Sequence, residues 1–323
     1  MSVMGSGFPG RMARALITGA AGQDGYFLSR LLESKGYEVH GLDRPGVQDR
    51  MEVIHPSRRW NVSLFDDSAL SDLLQEINPE EIFHLAAFSF VLTTVSEERE
   101  VIRNNLEATH NLLSACREFL PSSRFCFAAS AEIFGNPDHS PQSESSAIRP
   151  VTIYGMTKAS CHHLVGVYRN RGYFACSAIL FNHESSRRGN RFVTQKIVKT
   201  AIDIKRGKAR ELRLGSMDAV RDWGYAGDYV EAMWRMLQAE KPEDYVIASG
   251  HGHTVRDFAS LVFSKLDLDL DQYLVIDEDL VRPGESFPRI GDPSRIKKDL
   301  GWVPSLDFEA LVDEMLQAAL DSK

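Results

Sequence analysis

The feature that most constrains this 323-residue chain is a glycine-rich segment close to its start. An apolar run, residues 15–17 (ALI), leads into residues 18–25 (TGAAGQDG), and a helical pattern of apolar residues follows. A strand, a glycine-rich turn and a helix in this order allow backbone N–H groups and a helix N-terminus to hold a pyrophosphate. The glycine spacing, G-x-x-G-x-x-G, is one residue away from the commonest dinucleotide fingerprint. We therefore expect a dinucleotide site on Gly19, Gly22 and Gly25 rather than a purely structural turn.

Strand and helix patterns alternate through the first half of the chain. The strand-like runs are residues 38–42, 81–85, 124–129 and 174–180, and the helix-like runs include 67–77 (with Ser68 as its expected cap), 97–119 and 154–170. This alternation predicts a Rossmann-type α/β fold, with a doubly wound parallel sheet whose ligands bind beyond the carboxyl ends of the strands. After residue 181 the alternation weakens, which predicts a smaller, discontinuous α/β substrate domain. The expected bounds are 12–181 for the dinucleotide domain, with a return near 220–250, and 182–219 with 251–323 for the substrate domain.

The composition argues against several classes of function. Hydrophobic residues make up 43% of the chain and charged residues 25%, which is typical of a soluble globular protein, and no apolar stretch could span a bilayer. The net charge of −8 argues against nucleic-acid binding. Neither the four cysteines nor His183, His251 and His253 show the spacing of a metal site, so none is expected. Residues 1–11 lack the apolar core of a signal peptide, and we expect a disordered extension, or a remnant of expression, on a cytoplasmic protein.

A second motif is formed by Tyr154 and Lys158 on the helix predicted over 154–170. Residues four apart share one face of a helix, so the phenol and the ammonium group are expected to reach the same space. The ammonium stabilises the phenolate form, which allows Tyr154 to act as a general base toward a hydroxyl group. Any helix contains such pairs by chance, so this pair alone would more often be structural.

Polar residues also follow the strand predicted over 124–129. Ser130 and Glu132 come just after its carboxyl end, where ligands bind on this architecture. Ser130 can hydrogen-bond the oxygen that Tyr154 deprotonates, and Glu132 can exchange protons with a substrate. A capping or solvated role is the alternative for Glu132.

Together these residues resemble the extended short-chain dehydrogenase/reductase family that acts on nucleotide sugars. The glycine turn, Ser130, Tyr154 and Lys158 carry this resemblance. Within the family the chain is most similar to the GDP-mannose 4,6-dehydratases. The matching segments are 15–25, 35–41 (KGYEVHG), 180–185 (LFNHES), 187–189 (RRG), 192–197 (FVTQKI), 217–224 (MDAVRDWG) and 228–230 (DYV). They are spread over nearly all of residues 13–320.

The resemblance implies an internal redox cycle on a GDP-hexose, with GDP-mannose as the first candidate. Tyr154, with Lys158 beside it, would take the proton of the 4-hydroxyl group while hydride leaves C4 for an oxidised nicotinamide. Glu132 would then remove the C5 proton and assist the loss of water from C6. Return of the hydride to C6 would give a 4-keto-6-deoxy sugar, with Ser130 hydrogen-bonded to the reacting oxygen.

The resemblance also implies which residues bind the cofactor and the substrate. The expected cofactor contacts are Gly19, Gly22, Gln23, Asp24, Gly25, Asp43, Arg44, Leu85, Ala86, Ala87, Ser89, Tyr154 and Lys158. The expected substrate contacts are Ser89, Glu132, Asn182, Val193, Lys196, Arg221, Arg282 and Glu285. Arg221 and Arg282 are expected to meet the diphosphate, because a guanidinium fork suits phosphate oxygens.

Departures from the family pattern leave alternatives open. Asp43 suits the ribose of NAD, whereas Arg44 and the overall resemblance favour NADP. Phe88 and Phe90 predict a more apolar sugar pocket, so a GDP-heptose is an alternative substrate. A 4-epimerase, a 4-keto-6-deoxy sugar reductase and a non-catalytic nucleotide-sugar sensor are the alternative functions. The loop after Arg44 lacks the double-arginine segment of the family's tetramers, so a homodimer is expected and a tetramer is the alternative.

Overall fold

The computed structural model describes residues 12–89, 94–281 and 287–321. These residues form two compact units. The first contains the chain up to Ala129, together with Met156–Ala178 and Met233–Glu243. The second contains Ser130–Gly155, Ile179–Ala232 and the chain from Asp244 onward. Three residues singled out from the sequence lie outside the described residues, namely Phe90, Arg282 and Glu285.

Strands and helices alternate through the described residues. The strands are β1 (Arg14–Thr18), β2 (Glu38–Leu42), β3 (Arg59–Trp60), β4 (Glu81–His84), β5 (Arg124–Ala128), β6 (Phe174–Leu180), β7 (Asn182–Glu184), β8 (Leu212–Leu214), β9 (Val220–Tyr225), β10 (Tyr245–Ile247), β11 (Gly252–Thr254) and β12 (Leu274–Ile276). The α-helices are α1 (Gln23–Ser34), α2 (Asp67–Ile77), α3 (Val95–Ile102), α4 (Ala108–Phe119), α5 (Ile153–Asn170), α6 (Val193–Lys205), α7 (Ala226–Gln238), α8 (Val255–Lys265), α9 (Leu270–Tyr273), α10 (Ser294–Leu300) and α11 (Phe308–Asp321).

A seven-stranded sheet has the order β10-β6-β5-β4-β1-β2-β3. The pairs among β1 to β6 are all parallel. In the centre, Ala15 of β1 lies opposite Val39 on one side and Glu81 on the other. Leu16 and Ile17 are fully buried, as expected of a parallel strand covered on both faces. The Rossmann-type parallel sheet predicted from the sequence is confirmed. The paired strands β1 and β4 end side by side, just before the glycine turn and residues 85–89.

The second unit contains two small sheets. β9 pairs in parallel with β7 and antiparallel with β11, and β12 pairs in parallel with β8. Helices α6, α8 and α11 pack around a core that includes Trp223, Phe258 and Val312. Among the helices described, none combines the length and the apolar character needed to cross a membrane.

Two local features differ from the sequence-based expectation. Helix α2 is capped by Asp66, whose Oδ1 accepts a hydrogen bond from the Ala69 N–H at 3.0 Å, so the prediction that Ser68 caps it was wrong. Asp66 precedes the helix and can reach the unpaired N–H groups of its first turn. The long helix expected over 97–119 is divided into α3 and α4 by a π-helical segment, Arg103–Glu107.

Candidate active site

Two glycines of the glycine-rich turn, Gly19 and Gly25, have a steric reason to lack a side chain. Gly19 has a φ angle of +73°, and a methyl group there would lie 2.7 Å from the Ala86 nitrogen. A methyl group on Gly25 would lie 2.5 Å from the Ala20 carbonyl oxygen. Gly22 caps the N-terminus of α1 without a side-chain hydrogen bond. The turn therefore keeps the backbone of β1, α1 and residues 85–89 closely packed.

Asp43 follows β2 and is tied to this turn by a hydrogen bond. Its Oδ2 accepts from the Ala21 N–H at 2.9 Å, and its Oδ1 accepts from the Arg44 N–H at 2.8 Å. At the start of α1, the Gln23 Nε2 donates to the Asp24 Oδ1 at 3.2 Å. A glycine turn, a helix N-terminus and a carboxylate after the second strand are the groups that hold the diphosphate and ribose of a dinucleotide. The residues present therefore fit a dinucleotide cofactor.

Residues 85–89 are held in place by Asn105, which no sequence motif singled out. The Asn105 Oδ1 accepts from the Phe88 N–H at 2.7 Å, and its Nδ2 donates to the Phe88 carbonyl at 3.2 Å and to the Thr157 Oγ1 at 3.1 Å. Asn105 belongs to the π-helical segment, a form of helix often found at functional sites. The expected cofactor contacts differ in exposure: Leu85, Ala86 and Ala87 are half-buried and Ser89 is exposed.

His84 connects β1 to α4 through two buried hydrogen bonds. Its Nδ1 lies 2.6 Å from the Thr18 Oγ1, and its Nε2 lies 2.9 Å from the Thr109 Oγ1. Burial, assisted by the charge of Lys158, lowers the pKa of His84 to about 3. His84 is therefore neutral at physiological pH and acts as a structural residue.

Lys158 is buried at the carboxyl end of β5. It is 3% exposed, and its Nζ donates to the Ala128 carbonyl at 2.6 Å and lies 4.7 Å from the ring centroid of Phe127. Burial lowers the pKa of Lys158 to about 8, so the ammonium form still predominates near neutral pH. Tyr154 is also buried and lies four residues earlier on α5, which places both residues on one helix face.

The turn after β5 brings the backbone of Glu132 against the start of α5. Ser130 caps the 3₁₀ turn Ala131–Phe134, and its Oγ accepts from the Glu132 N–H at 3.3 Å. A methyl group on Gly155 would lie 2.6 Å from the Glu132 carbonyl oxygen. Since Gly155 follows Tyr154 directly, the absence of a side chain at Gly155 allows this close approach.

The side chain of Glu132 has a partner that the sequence did not indicate. The Arg289 Nη1 donates to the Glu132 Oε1, and the two side chains are 11% and 14% exposed, respectively. The other oxygen, Oε2, is buried and has no hydrogen-bond partner in the described part of the chain. A lone arginine 157 positions away carries no spacing signal, so only the folded chain reveals this contact.

The described residues expected to bind the nucleotide sugar, apart from Ser89 and Glu132, lie on β7, β9 and α6. Asn182 is on β7 and Arg221 is on β9, and these two strands pair in parallel. Val193 is the first residue of α6, and Lys196 follows one turn later. Arg221 is buried, with its Nη1 donating to the carbonyl of the preceding residue at 2.8 Å.

Glu184 anchors the start of α6. Its Oε2 accepts from the Thr194 Oγ1 at 2.6 Å and lies 3.0 Å from the Nε of Arg188. The Arg188 guanidinium in turn stacks over the Phe192 ring, 3.5 Å from its centroid. The loop that precedes Val193 therefore has a fixed path. Among the residues described, histidine, cysteine, aspartate and glutamate form no group of three or more that could hold a metal ion.

Comparison with known proteins shows the family. A family model described as GDP-mannose 4,6 dehydratase matches residues 16–315. The chain belongs to the GDP-mannose 4,6-dehydratase family. It is 41% identical over 326 residues to GDP-mannose 4,6 dehydratase 2 of Arabidopsis thaliana, an alignment that covers 95% of this chain and 87% of the relative. The resemblance found in the sequence motifs is thereby confirmed.

Two solved structures of other proteins share the fold of this GDP-mannose 4,6-dehydratase family member. The UDP-glucose 4-epimerase of Thermus thermophilus in complex with NAD aligns with a TM-score of 0.84 at 24% identity, covering 96% of this chain and 100% of that chain. RMD from Pseudomonas aeruginosa complexed with NADPH aligns with a TM-score of 0.81 at 23% identity, covering 95% of this chain and 97% of that chain. At these identities the similarity shows the fold alone.

Proposed function

We propose that this protein is a nucleotide-sugar 4,6-dehydratase that converts a GDP-hexose, GDP-mannose first of all, into its 4-keto-6-deoxy derivative. Family membership over residues 16–315 supports the proposal. The structural observation that carries it concerns the backbone: a methyl group on Gly155, the residue after Tyr154, would lie 2.6 Å from the Glu132 carbonyl oxygen, so these two chain segments lie against each other. A dehydratase needs a carboxylate that accepts and returns a proton beside the tyrosine base, whereas a 4-epimerase has no such step.

The roles proposed for the catalytic residues are those that the family resemblance implies. Tyr154 takes the proton of the substrate's 4-hydroxyl group, and Lys158 supplies a positive charge on the same helix face. The Ser130 oxygen accepts from the Glu132 N–H, which leaves the hydroxyl proton to bind the reacting oxygen of the sugar. Glu132 removes the C5 proton and returns it to the departing C6 hydroxyl group.

A nicotinamide dinucleotide is the cofactor in this proposal. When bound, it would supply the hydride chemistry of the C4 oxidation and the C6 reduction. The proposed contacts are Gly19, Gly22, Gln23, Asp24, Gly25, Asp43, Arg44, Leu85, Ala86, Ala87, Ser89, Tyr154 and Lys158. NADP is the first candidate, on the family resemblance and the positive charge of Arg44. NAD is the second, because the hydrogen bond to Ala21 holds the Asp43 carboxylate at the turn, where a 2′-phosphate would meet negative charge.

Binding measurements distinguish the two cofactors. We expect Asp43→Asn to tighten NADP binding about tenfold relative to NAD binding, because the like-charge repulsion with a 2′-phosphate is removed. Asp49→Asn changes an exposed carboxylate nearby and serves as the control. The dissociation constants are measured by fluorescence titration. Equal affinities in Asp43→Asn and wild type would contradict the role of Asp43.

The proposed substrate contacts remain those inferred from the resemblance. They are Asn182, Arg221 and Arg282 for the diphosphate, Val193, Lys196 and Glu285 for the nucleoside, and Ser89 and Glu132 for the sugar. We further propose residues 12–181, with a return near 220–250, as the dinucleotide domain, and residues 182–219 with 251–323 as the substrate domain. The protein is proposed to act as a cytoplasmic homodimer, and light scattering measures its oligomeric state.

Mass spectrometry of products from GDP-, UDP-, CDP- and dTDP-sugars tests the function. The proposal predicts that a GDP-sugar loses one water while the cofactor is regenerated in each turnover. Glu132→Gln is expected to be inactive. An isomer of unchanged mass would show a 4-epimerase, and stoichiometric consumption of reduced cofactor would show a reductase. If no sugar in the panel reacts and the nicotinamide absorbance never changes, the protein is a sensor. A GDP-heptose in the panel tests the alternative substrate.

A further inference from the structure

The contact between Arg289 and Glu132 is an ion pair largely removed from water. The side chains are 11% and 14% exposed, respectively. A mostly buried carboxylate is costly unless a charged partner compensates it, and the guanidinium does so. In the same unit, Arg149 and Asp138 form a pair whose side chains are 57% and 59% exposed. An exposed ion pair of that kind contributes little to stability. Arg149 therefore serves as a control for substitutions of Arg289.

The backbone around Arg289 is fixed on both sides. The Arg289 N–H donates to the Val220 carbonyl at 3.3 Å, and the Arg289 carbonyl accepts from the Asp222 N–H at 3.0 Å. On the opposite side of the same segment, the Gln142 N–H donates to the Ile290 carbonyl at 2.7 Å. The Arg289 side chain therefore starts from a constrained position and can hold its partner in one orientation.

The two oxygens of Glu132 have different surroundings. Oε1 accepts from Arg289, while Oε2 is buried without a hydrogen-bond partner among the described residues. A buried carboxylate oxygen left unpaired is costly, and such an atom in a native fold calls for an explanation. A ligand proton at Oε2 would satisfy it.

We propose that Arg289 is a positioning residue, which holds Oε1 of Glu132 and leaves Oε2 as the atom that accepts the C5 proton of the substrate. This inference rests on the proposed dehydratase function and assigns its C5 proton transfer to one oxygen atom of Glu132. Arg289 acts through Glu132 and does not itself exchange a proton.

The proton transfer balances without a further reactant. The C5–H bond breaks, its electron pair moves into the C4 ketone to form the enolate, and the proton forms an O–H bond at Oε2. In the elimination the electron pair returns to form the C5–C6 double bond, and the C6–O bond breaks. The proton passes from Oε2 to the departing hydroxyl group, which leaves as water. Glu132 is then ionised again and still paired with Arg289.

The test uses the 4-keto-6-deoxy derivative of GDP-mannose, prepared separately, as the probe in deuterium oxide. Its C5 proton lies next to a ketone, so exchange at C5 requires the carboxylate but no hydride transfer. NMR gives the maximal exchange rate and the KM for wild type, Arg289→Met, Arg289→Lys, Glu132→Gln and the double variant. Arg149→Met is the matched control, and urea unfolding shows that each variant is folded.

We expect Arg289→Met to lower the maximal exchange rate about tenfold or more with KM changed less than about twofold, because a charge-assisted hydrogen bond is lost. Arg289→Lys should recover part of the rate, and it decides the question if Arg289→Met does not fold. Arg149→Met should exchange like wild type. Glu132→Gln and the double variant should show no exchange above the uncatalysed rate, which establishes that the measured rate depends on the carboxylate.

Two results would overturn the positioning role. The first is a wild-type exchange rate in folded Arg289→Met. The second is a rise in KM alone, which would show that Arg289 binds the substrate directly. A wild-type protein that neither exchanges C5 nor dehydrates a GDP-sugar overturns the proposed function, and this inference with it. The wild-type measurement therefore separates the two failures.

Discussion

Replacing Lys158 by methionine should expose the stability cost of keeping a buried ammonium group. Burial lowers the pKa of Lys158 from 10.5 to about 8. At about 1.36 kcal/mol for each pH unit, the ammonium form destabilises the fold by about 3 kcal/mol. Because the folded-state pKa is the lower one, this penalty is complete below about pH 8 and fades as the pH rises toward 10.5.

The size of the effect at a single pH also depends on a lost hydrogen bond. Methionine cannot donate to the Ala128 carbonyl, which the Lys158 Nζ meets at 2.6 Å. That loss costs about 1–3 kcal/mol at every pH. The informative quantity is therefore the free energy of unfolding of Lys158→Met minus that of wild type, compared between about pH 7 and about pH 10. We expect this difference to fall by roughly 2–3 kcal/mol over that interval.

Urea unfolding of both proteins, without added cofactor, measures this difference. Lys265→Met is the control, because hydrogen bonds to Asp313 and Glu309 raise the pKa of Lys265. A group with a raised pKa loses its stabilisation only above its ordinary value, so the control difference should stay constant over the same interval. A Lys158→Met difference that is equally constant would refute the account of Lys158 as a destabilising group kept for catalysis.

Two further substitutions test the packing around the site. Gly155→Ala should lower the dehydration rate at least about tenfold, because its methyl group would lie 2.6 Å from the Glu132 carbonyl oxygen. The control is Gly166→Ala on the same helix. Its methyl group would meet nothing closer than 3.9 Å, so this variant should keep full activity. Equal rates in the two variants would contradict this reasoning. Asn105→Ala should weaken nicotinamide cofactor binding about tenfold in a fluorescence titration, because it removes the hydrogen bonds that hold residues 85–89. Asn104→Ala is the control and should bind the cofactor like wild type. Cofactor affinity unchanged in Asn105→Ala would show that those residues need no such support.

The parallel sheet could be predicted because its signals are local. The apolar run of β1 and the glycines after it lie within about a dozen consecutive residues, and their steric requirements follow from backbone geometry. The cap of α2 shows the limit of such reasoning. Asp66 and Ser68 are both good capping residues, and the choice depends on where the chain first turns into the helix.

The pairing of Arg289 with Glu132 could not be predicted, because it depends on the folded chain. The two residues are 157 positions apart, and Arg289 belongs to no motif. Asn105 was missed for a related reason. It reads as an ordinary residue of a long amphipathic helix, and its contact with Phe88 arises from a π-helical segment that has no clear sequence signal.

The most direct test of the proposed dehydration follows one hydrogen atom. GDP-mannose carrying deuterium at C4 is incubated with the protein and its nicotinamide cofactor, and NMR locates the label in the product. The internal transfer described here predicts a 4-keto-6-deoxy product with the deuterium at C6. Deuterium that remains at C4 in an isomerised sugar, or that accumulates in free reduced cofactor, would contradict it.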